Sequence, residues 1–341
     1  MKLIDLRSDT VTKPSQAMLA AMMNAKLGDD VYGEDPSVLE LEELIAARAE
    51  MEAAVFAPSG TQSNLIGLMA HCERGDEYIV GQSAHTYMYE GGGAAVLGSI
   101  QPQPIDFAED GSLPLEKIRL AIKPIDDHFP RTKLLCLENT TAGKVLPLSY
   151  LKNMKSFCDE NKLSNHLDGA RVFNASVKLG INLKEISKNF DSISVCLSKG
   201  LGAPVGSVLC GSFELIKKAR RWRKVLGGGM RQSGVLAAAG IYALQNNVNR
   251  LGEDHENAEY LAKAMAELDE LEVDLAALQT NIFYFKAKKN YSELQKHLQD
   301  KGIIMPQKAR KSGLVRCVTH LDVSRDELSR VIKEIKLFYT K

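Results

Sequence analysis

Between about residues 52 and 211, short apolar and β-branched runs alternate with longer helical patterns, and no other feature of the chain constrains its fold as strongly. The candidate strands are 54–57, 78–80, 133–138, 165–168, 192–197 and 207–210. Several are apolar on both faces, as strands must be when helices cover each side of a mainly parallel sheet. The expected class is α/β. Residues 12–50 precede this region as an arm and an acidic amphipathic helix over 37–47, with Ser37 placed to cap its first turn and Leu39, Leu41, Leu44 and Ile45 facing inward. The alanine-rich stretch 234–246 predicts a long packed helix that closes this part.

After Asn249 the texture changes. A helix over 251–269, a strand over 281–285, a helix over 292–301 and a strand over 314–318 lead to a last helix. That helix opens with Ser324-Arg325-Asp326-Glu327, a capping box in which Ser and Glu satisfy each other's backbone amides. The expected division is an arm and large domain over 1–249, followed by a small α+β domain over 250–341.

The 43 basic and 43 acidic side chains cancel, so a nucleic-acid polyanion is not expected as the main partner. No apolar run approaches the roughly 20 residues needed to span a bilayer. The opening residues carry acids and hydroxyls where a signal peptide would be apolar, so a cytoplasmic location is expected. The six cysteines lie far apart with no C-x-x-C pair, and read as reduced core thiols rather than a disulfide or zinc framework.

Ser198-Lys199-Gly200-Leu201-Gly202 follows directly on an apolar strand. A lysine there, with glycines that let the chain turn away, lies where open α/β sheets collect their ligands. By itself a lysine after a strand is usually a solvated loop residue. Thirty-one positions earlier, however, Asn165-His166-Leu167-Asp168-Gly169-Ala170-Arg171 ends another strand in a carboxylate. Pyridoxal phosphate requires this pair: an amine to form a Schiff base with its aldehyde, and a carboxylate to keep its pyridine nitrogen protonated.

The cofactor also requires an anion cradle. Ala57-Pro58-Ser59-Gly60-Thr61-Gln62 supplies a Gly-containing turn, two hydroxyls and a helix N-terminus, although an ordinary helix cap would look similar. No P-loop or G-x-G-x-x-G pattern is present, which disfavours nucleotide binding. His85 is the candidate for stacking on the ring and exchanging protons; His128, in Asp126-Asp127-His128-Phe129-Pro130, is a second acid-base candidate or a surface residue paired with acids. Arg171 and Arg316 are candidates for an amino-acid carboxylate, and Arg316 lies within an apolar strand where it needs an anionic partner. The run Lys217-Lys218-Ala219-Arg220-Arg221-Trp222-Arg223-Lys224 reads as the solvated basic face of a helix. The glycines that follow, Gly227-Gly228-Gly229, allow close backbone approach to a ligand or another subunit.

In this order, these segments resemble the low-specificity L-threonine aldolases, fold-type-I pyridoxal-phosphate enzymes. The resemblance runs from Asp5-Leu6-Arg7-Ser8-Asp9-Thr10 through Gly28-Asp29-Asp30-Val31-Tyr32-Gly33 and the Asp168 and Lys199 motifs to Val318-Thr319-His320-Leu321-Asp322. It implies Lys199 as the Schiff-base lysine, Asp168 at the pyridine nitrogen and His85 over the ring. It also implies Ser59, Gly60 and Thr61 as the phosphate turn, and Ser8, Arg171 and Arg316 as holders of the substrate carboxylate. Lys224 and Arg231 are implied near the site, parts of which come from a neighbouring subunit of a homotetramer.

The implied reaction is retro-aldol cleavage of L-threonine and L-allo-threonine to glycine and acetaldehyde. His85, His128 or a water between them is the candidate base for the β-hydroxyl proton. One departure stands out: Glu138-Asn139-Thr140-Thr141-Ala142-Gly143 carries Thr141 where the family pattern has histidine. Within the same cofactor class the rival is β-elimination or another side-chain cleavage on a different amino acid. Outside it, the rivals are a non-enzymatic oligomeric scaffold and a basic-helix nucleic-acid binder.

Overall fold

The computed structural model describes residues 2–309 and 312–340. Its strands are β1 (Ile4–Asp5), β2 (Ala53–Ala57), β3 (Asp76–Gly81), β4 (Gln101–Ile105), β5 (Arg131–Glu138), β6 (Ser164–Gly169), β7 (Ser192–Cys196), β8 (Ser207–Gly211), β9 (Leu271–Val273), β10 (Ile282–Ala287), β11 (Ile303–Ile304) and β12 (Val315–Val318). Seven of them form the central sheet, in the order β2-β8-β7-β6-β5-β3-β4. The pairs β7/β6, β6/β5, β5/β3 and β3/β4 are parallel, whereas β8 runs antiparallel to both of its neighbours. Consequently β2, β3, β5, β6 and β7 all end on one edge of the sheet. Every chemical motif read from the sequence of this region, apart from His128, follows one of those ends.

The strand at the far edge, β4, escaped the sequence reading because Pro102 and Pro104 lie within it. Proline cannot donate to a ladder, and an edge position is where a sheet tolerates it. The helix expected at 37–47 runs over Pro36–Ala49, and its cap is Asp35 rather than Ser37: the Asp35 carboxylate accepts from the amides of Ser37 and Val38. Pro36 occupies the first turn; Val38, Leu41 and Ile45 are buried, whereas Leu39, expected to face inward, is exposed. The helix Gly234–Asn246 and the capping box at Ser324 take their expected places. All six cysteines are buried and unbridged. Among the described residues, no helix is long and apolar enough to cross a membrane.

The two largest apolar cores are distinct. The larger packs the helices Pro36–Ala49 and Gly234–Asn246 against the sheet; the other joins the helices Leu251–Ala266 and Arg325–Tyr339 to the sheet β12-β10-β9. The start of the chain departs from its expected place with the large part. β1 pairs in parallel with β11, and Ile4 and Leu6 are buried in the second core. Those two side chains supply apolar surface that the smaller sheet needs covered, so the segment beyond them is tied between the two parts.

The basic run keeps its expected solvated face at Lys217, Lys218, Arg221 and Lys224, but two of its arginines turn inward. In the helix Phe213–Val225, Arg223 is buried, paired to Asp30 at 2.9 Å and donating to the Phe56 carbonyl at 2.7 Å. Arg220 pairs with buried Glu42 and donates to the Ala54 carbonyl. These two cations pin the helix to β2 from beneath. At the helix end, a Cβ on Gly228 would lie 1.7 Å from Gln62 Oε1, so the glycine loop is needed where it passes the helix Gly60–His71.

Candidate active site

The C-terminal edge of the parallel strands gathers most of the predicted residues. Asp168 ends β6, is buried, and accepts from Asn64 Nδ2 at 3.0 Å and from the Ala170 amide at 3.0 Å. Lys199 lies in the turn after β7, close to Arg171 and Cys196 around a small cavity. Thr12 Oγ1 donates to the Lys199 carbonyl at 3.0 Å and fixes the turn from the N-terminal arm. His85 begins a short helix after β3; its amide donates to Glu138 Oε2 at 2.8 Å, and its Nδ1 lies 2.8 Å from Glu90 Oε1. One ligand-type atom from each of His85, Glu90 and Asp168 falls within 4.8 Å of the other two.

Charge is unevenly distributed here. The hydrogen bond to Glu90 raises the His85 pKa above the ordinary imidazole value, against the effect of burial and with help from Asp168. Burial, reinforced by Asp168, pushes the Glu138 carboxyl up to about 7. Burial alone would raise the Asp9 carboxyl too, but Arg171 and then Lys199 and Arg316 outweigh it and hold Asp9 well below the usual carboxylate range. Arg171 grips Asp9 with two contacts, Nε to Oδ2 at 2.8 Å and Nη2 to Oδ1 at 2.5 Å. Asn281 Nδ2 adds a third donor to Asp9 at 3.2 Å.

Arg316 on β12 has no carboxylate partner among the described residues, and burial followed by the nearby Arg171 depresses its pKa. An arginine in this setting is poised for an incoming anion. Ser8 caps the turn Asp9–Val11 beside this group and accepts from Thr10. Sequence reasoning met Asp9, Asn64 and Glu138 within its motifs without giving them roles of their own, and missed Glu90. Asn64 was detectable as a polar residue on the buried face of the helix Gly60–His71; Glu90 and Glu138 are acids at a sheet edge, which a sequence does not distinguish from surface acids.

The opposite end of the site is the N-terminus of the helix Gly60–His71. Ser59 caps it and accepts from the Gln62 amide, which leaves the amides of Gly60 and Thr61 without intrahelical acceptors. Ser207 Oγ is buried with no hydrogen-bond partner among the described residues, 3.5 Å from where a Cβ on Gly60 would stand. Free amides, an unpaired buried hydroxyl and a helix N-terminus fit a phosphate. With Asp168 and Lys199 on neighbouring strand ends, the donor and acceptor set fits pyridoxal phosphate as a whole.

Three predicted residues lie elsewhere in the chain. His128 is exposed, bonded to Asp126 at 2.6 Å in the loop before β5, and thus at the opposite edge of the sheet. Arg231 is exposed and pairs with Asp29 at 2.9 Å. Lys224 is exposed near the end of the helix Phe213–Val225. At the position of the sequence departure, Thr141 is buried and donates from Oγ1 to the Glu138 carbonyl at 2.8 Å.

Comparison with known proteins agrees with this architecture. The beta-eliminating lyase family model matches residues 5–288. The low specificity L-threonine aldolase of Escherichia coli K12 is 55% identical over 340 residues, which covers 99% of this chain and 100% of that protein. Low-specificity L-threonine aldolase 1 of Arabidopsis thaliana is 42% identical, covering 96% of this chain and 94% of its own. Among solved structures, the threonine aldolase of Leishmania major superposes with a TM-score of 0.83 at 22% identity, covering 98% of this chain and 99% of that one. The serine palmitoyltransferase of Sphingomonas wittichii shares the fold at a TM-score of 0.78 and 16% identity, covering 98% and 87%. With the lysine, carboxylate and phosphate-type turn on one sheet edge and this identity across the whole length, the chain belongs to the low-specificity L-threonine aldolases, lyases of the fold-type-I pyridoxal-phosphate class.

Proposed function

We propose that this chain cleaves L-threonine and L-allo-threonine to glycine and acetaldehyde with pyridoxal phosphate as cofactor. The observation that carries the reading is that Lys199, Asp168 and Arg171 gather at one edge of the central sheet, where Arg316 of β12 also comes near Asp9. When bound, the cofactor supplies an electron sink for the bond that breaks at the substrate's α-carbon. Lys199 would hold it through its amine, Asp168 would partner its ring nitrogen, and Ser59, Gly60 and Thr61 would hold its phosphate.

Arg316, with Ser8 and the edge of Arg171 not taken by Asp9, grips the substrate carboxylate. Held there, the substrate can present only one of its α-carbon bonds to the ring, and geometry selects the Cα–Cβ bond. His85 gives its Nδ1 proton to the hydrogen bond with Glu90, so in the neutral ring Nε2 is the free acceptor for the β-hydroxyl proton. That polarity favours His85 over the exposed His128. The assembly we propose is a cytoplasmic homotetramer in which Lys224 and Arg231 reach a neighbouring subunit's site; their exposure supports the reading.

The test is acetaldehyde release from both L-isomers by purified protein with added cofactor. Release with a yellow, borohydride-fixable chromophore supports the proposal. A yellow protein that yields ammonia and a keto acid instead moves it to β-elimination, and a colourless inactive one overturns it.

The acid limb of the pH profile tests the base. A base must be deprotonated to act, and Glu90 raises the His85 pKa, so activity rises with pH through a value above that of an ordinary imidazole. In Glu90→Gln the acceptor charge is gone, and the limb moves to lower pH. An unmoved limb in kcat/KM against pH excludes His85 as the base.

A further inference from the structure

A line of polar side chains crosses the buried layer between the helix Gly60–His71 and the sheet, and the reaction as described does not use it. His71 Nε2 lies 2.7 Å from Ser192 Oγ, and Ser192 Oγ lies 2.7 Å from His166 Nδ1. His166 Nε2 lies 3.3 Å from Asn64 Oδ1. Asn64 Nδ2 donates to Glu90 Oε1 at 2.9 Å and to Asp168 Oδ2 at 3.0 Å. Asn64, His166 and Ser192 are buried.

The direction of every bond in the line is fixed from its inner end. Carboxylates only accept, so the Asn64 amide must turn its NH₂ to Asp168 and Glu90 and its oxygen to His166. His166 must then donate from Nε2. Burial, then the nearby His71, lowers its pKa to about 3, so the ring is neutral and Nδ1 is left as an acceptor. Ser192 therefore donates to His166 Nδ1 and accepts from His71 Nε2. His71 is also neutral, its pKa lowered to about 4 by burial and then by Lys218. All donors point the same way, from the half-buried end of the helix to the carboxylate at its centre.

Apolar side chains of the same volume would pack this layer without the desolvation that four polar groups incur. The fold nonetheless makes room for the line: a Cβ on Gly67 would stand 3.1 Å from His166 Cε1 and 3.2 Å from Leu209 Cδ1, so a glycine admits the imidazole beneath the helix. A buried network retained at such a cost, fully satisfied and ending on a single carboxylate pair, acts on that pair.

We propose that His71, Ser192, His166 and Asn64 form a one-directional hydrogen-bond relay that fixes the Asp168 carboxylate against the cofactor's ring nitrogen, with Asn64 and His166 as positioning residues for the reaction. The inference rests on the functional reading above. Through Glu90, the same amide also sets the hydrogen bond that orients His85, so one side chain aligns the groups on two sides of the cofactor. The arrangement is the counterpart of outer-shell partners that orient metal-ligating groups, whose loss lowers activity about 10- to 100-fold.

The test uses full-length protein loaded with pyridoxal phosphate carrying ¹⁵N in the ring. His166→Leu removes the donor to Asn64, His166→Gln keeps an amide N–H near the position of Nε2, and Ser192→Ala removes one hydroxyl three hydrogen bonds from Asp168. In His166→Leu we expect the ring-nitrogen resonance to move toward unprotonated pyridine and kcat to fall about tenfold, with KM little changed. Ser192→Ala moves both in the same direction by less, and His166→Gln returns both toward wild type. If His166→Leu does not fold, Ser192→Ala decides. Unmoved resonance and kcat in Ser192→Ala overturn the relay, as does an equal loss in the Leu and Gln variants with the nitrogen signal unchanged, which would mark a packing role. A wild-type protein that takes up no cofactor overturns the functional reading and this inference with it; a normal wild-type holoenzyme beside unmoved variants overturns the relay alone.

Discussion

Lys199→Ala protein folds, takes up pyridoxal phosphate only reversibly, and loses turnover by at least about 10³-fold, since the tether and the group that releases product are removed together. The fold is expected to survive because Lys199 makes no side-chain hydrogen bond or ion pair among the described residues, and its turn is held by backbone contacts such as the bond from Gly202 to the Lys199 carbonyl at 2.8 Å. The measurement is twofold: the visible spectrum before and after borohydride reduction, and acetaldehyde release under saturating substrate. Borohydride should fix no cofactor to the variant. Full activity, or a cofactor still bonded to protein after reduction, contradicts the role of Lys199.

The two arginines of the carboxylate grip should fail differently. Arg171→Ala leaves Asp9 buried without its guanidinium, and breaking such a pair costs about 3–5 kcal/mol, so this variant loses both stability and activity. Arg316→Leu removes a buried cation that makes no ion-pair contact with a carboxylate among the described residues and feels Asp9 only after burial, Arg171 and Tyr284. Its thermal midpoint should therefore hold or rise, while kcat/KM for L-threonine falls roughly 10- to 150-fold, the worth of one hydrogen bond to a charged group. Thermal unfolding and steady-state kinetics on the same preparations separate the cases. A destabilised Arg316→Leu, or an Arg171→Ala as stable as wild type, contradicts the division of labour.

That division could not be read from the sequence. Arg171 and Arg316 were equivalent there, two arginines near a presumed anion. The difference lies in Asp9, brought in by an arm whose first strand pairs with β11 some three hundred residues away. Arg223 is similar: in the sequence it is one of six basic residues in eight, and only the packing of its helix over Asp30 and Phe56 makes it a buried cation. Asn64, Glu90 and Glu138 were given no role of their own for the same reason. A polar residue becomes part of a site through the partners the fold supplies, and those partners are remote in the chain.

The sequence by itself determined the α/β class, the strands of the central sheet that are apolar on both faces, and the motifs at their ends. These are local properties: period, apolar continuity, and turn residues immediately after a strand. It also pointed to the pyridoxal-phosphate class, because Lys199 and Asp168 each lie at the end of a buried strand and parallel strands share one edge. The tertiary structure decided what local pattern does not encode. It put the proline-bearing β4 at the sheet margin, moved the helix cap from Ser37 to Asp35, tied Ile4 and Leu6 to the second core, left His128 at the far edge, and joined His71 to Asp168 through four hydrogen bonds. Each of these depends on which distant groups compete for the same buried space or the same proton, and that competition is settled only when the chain is packed.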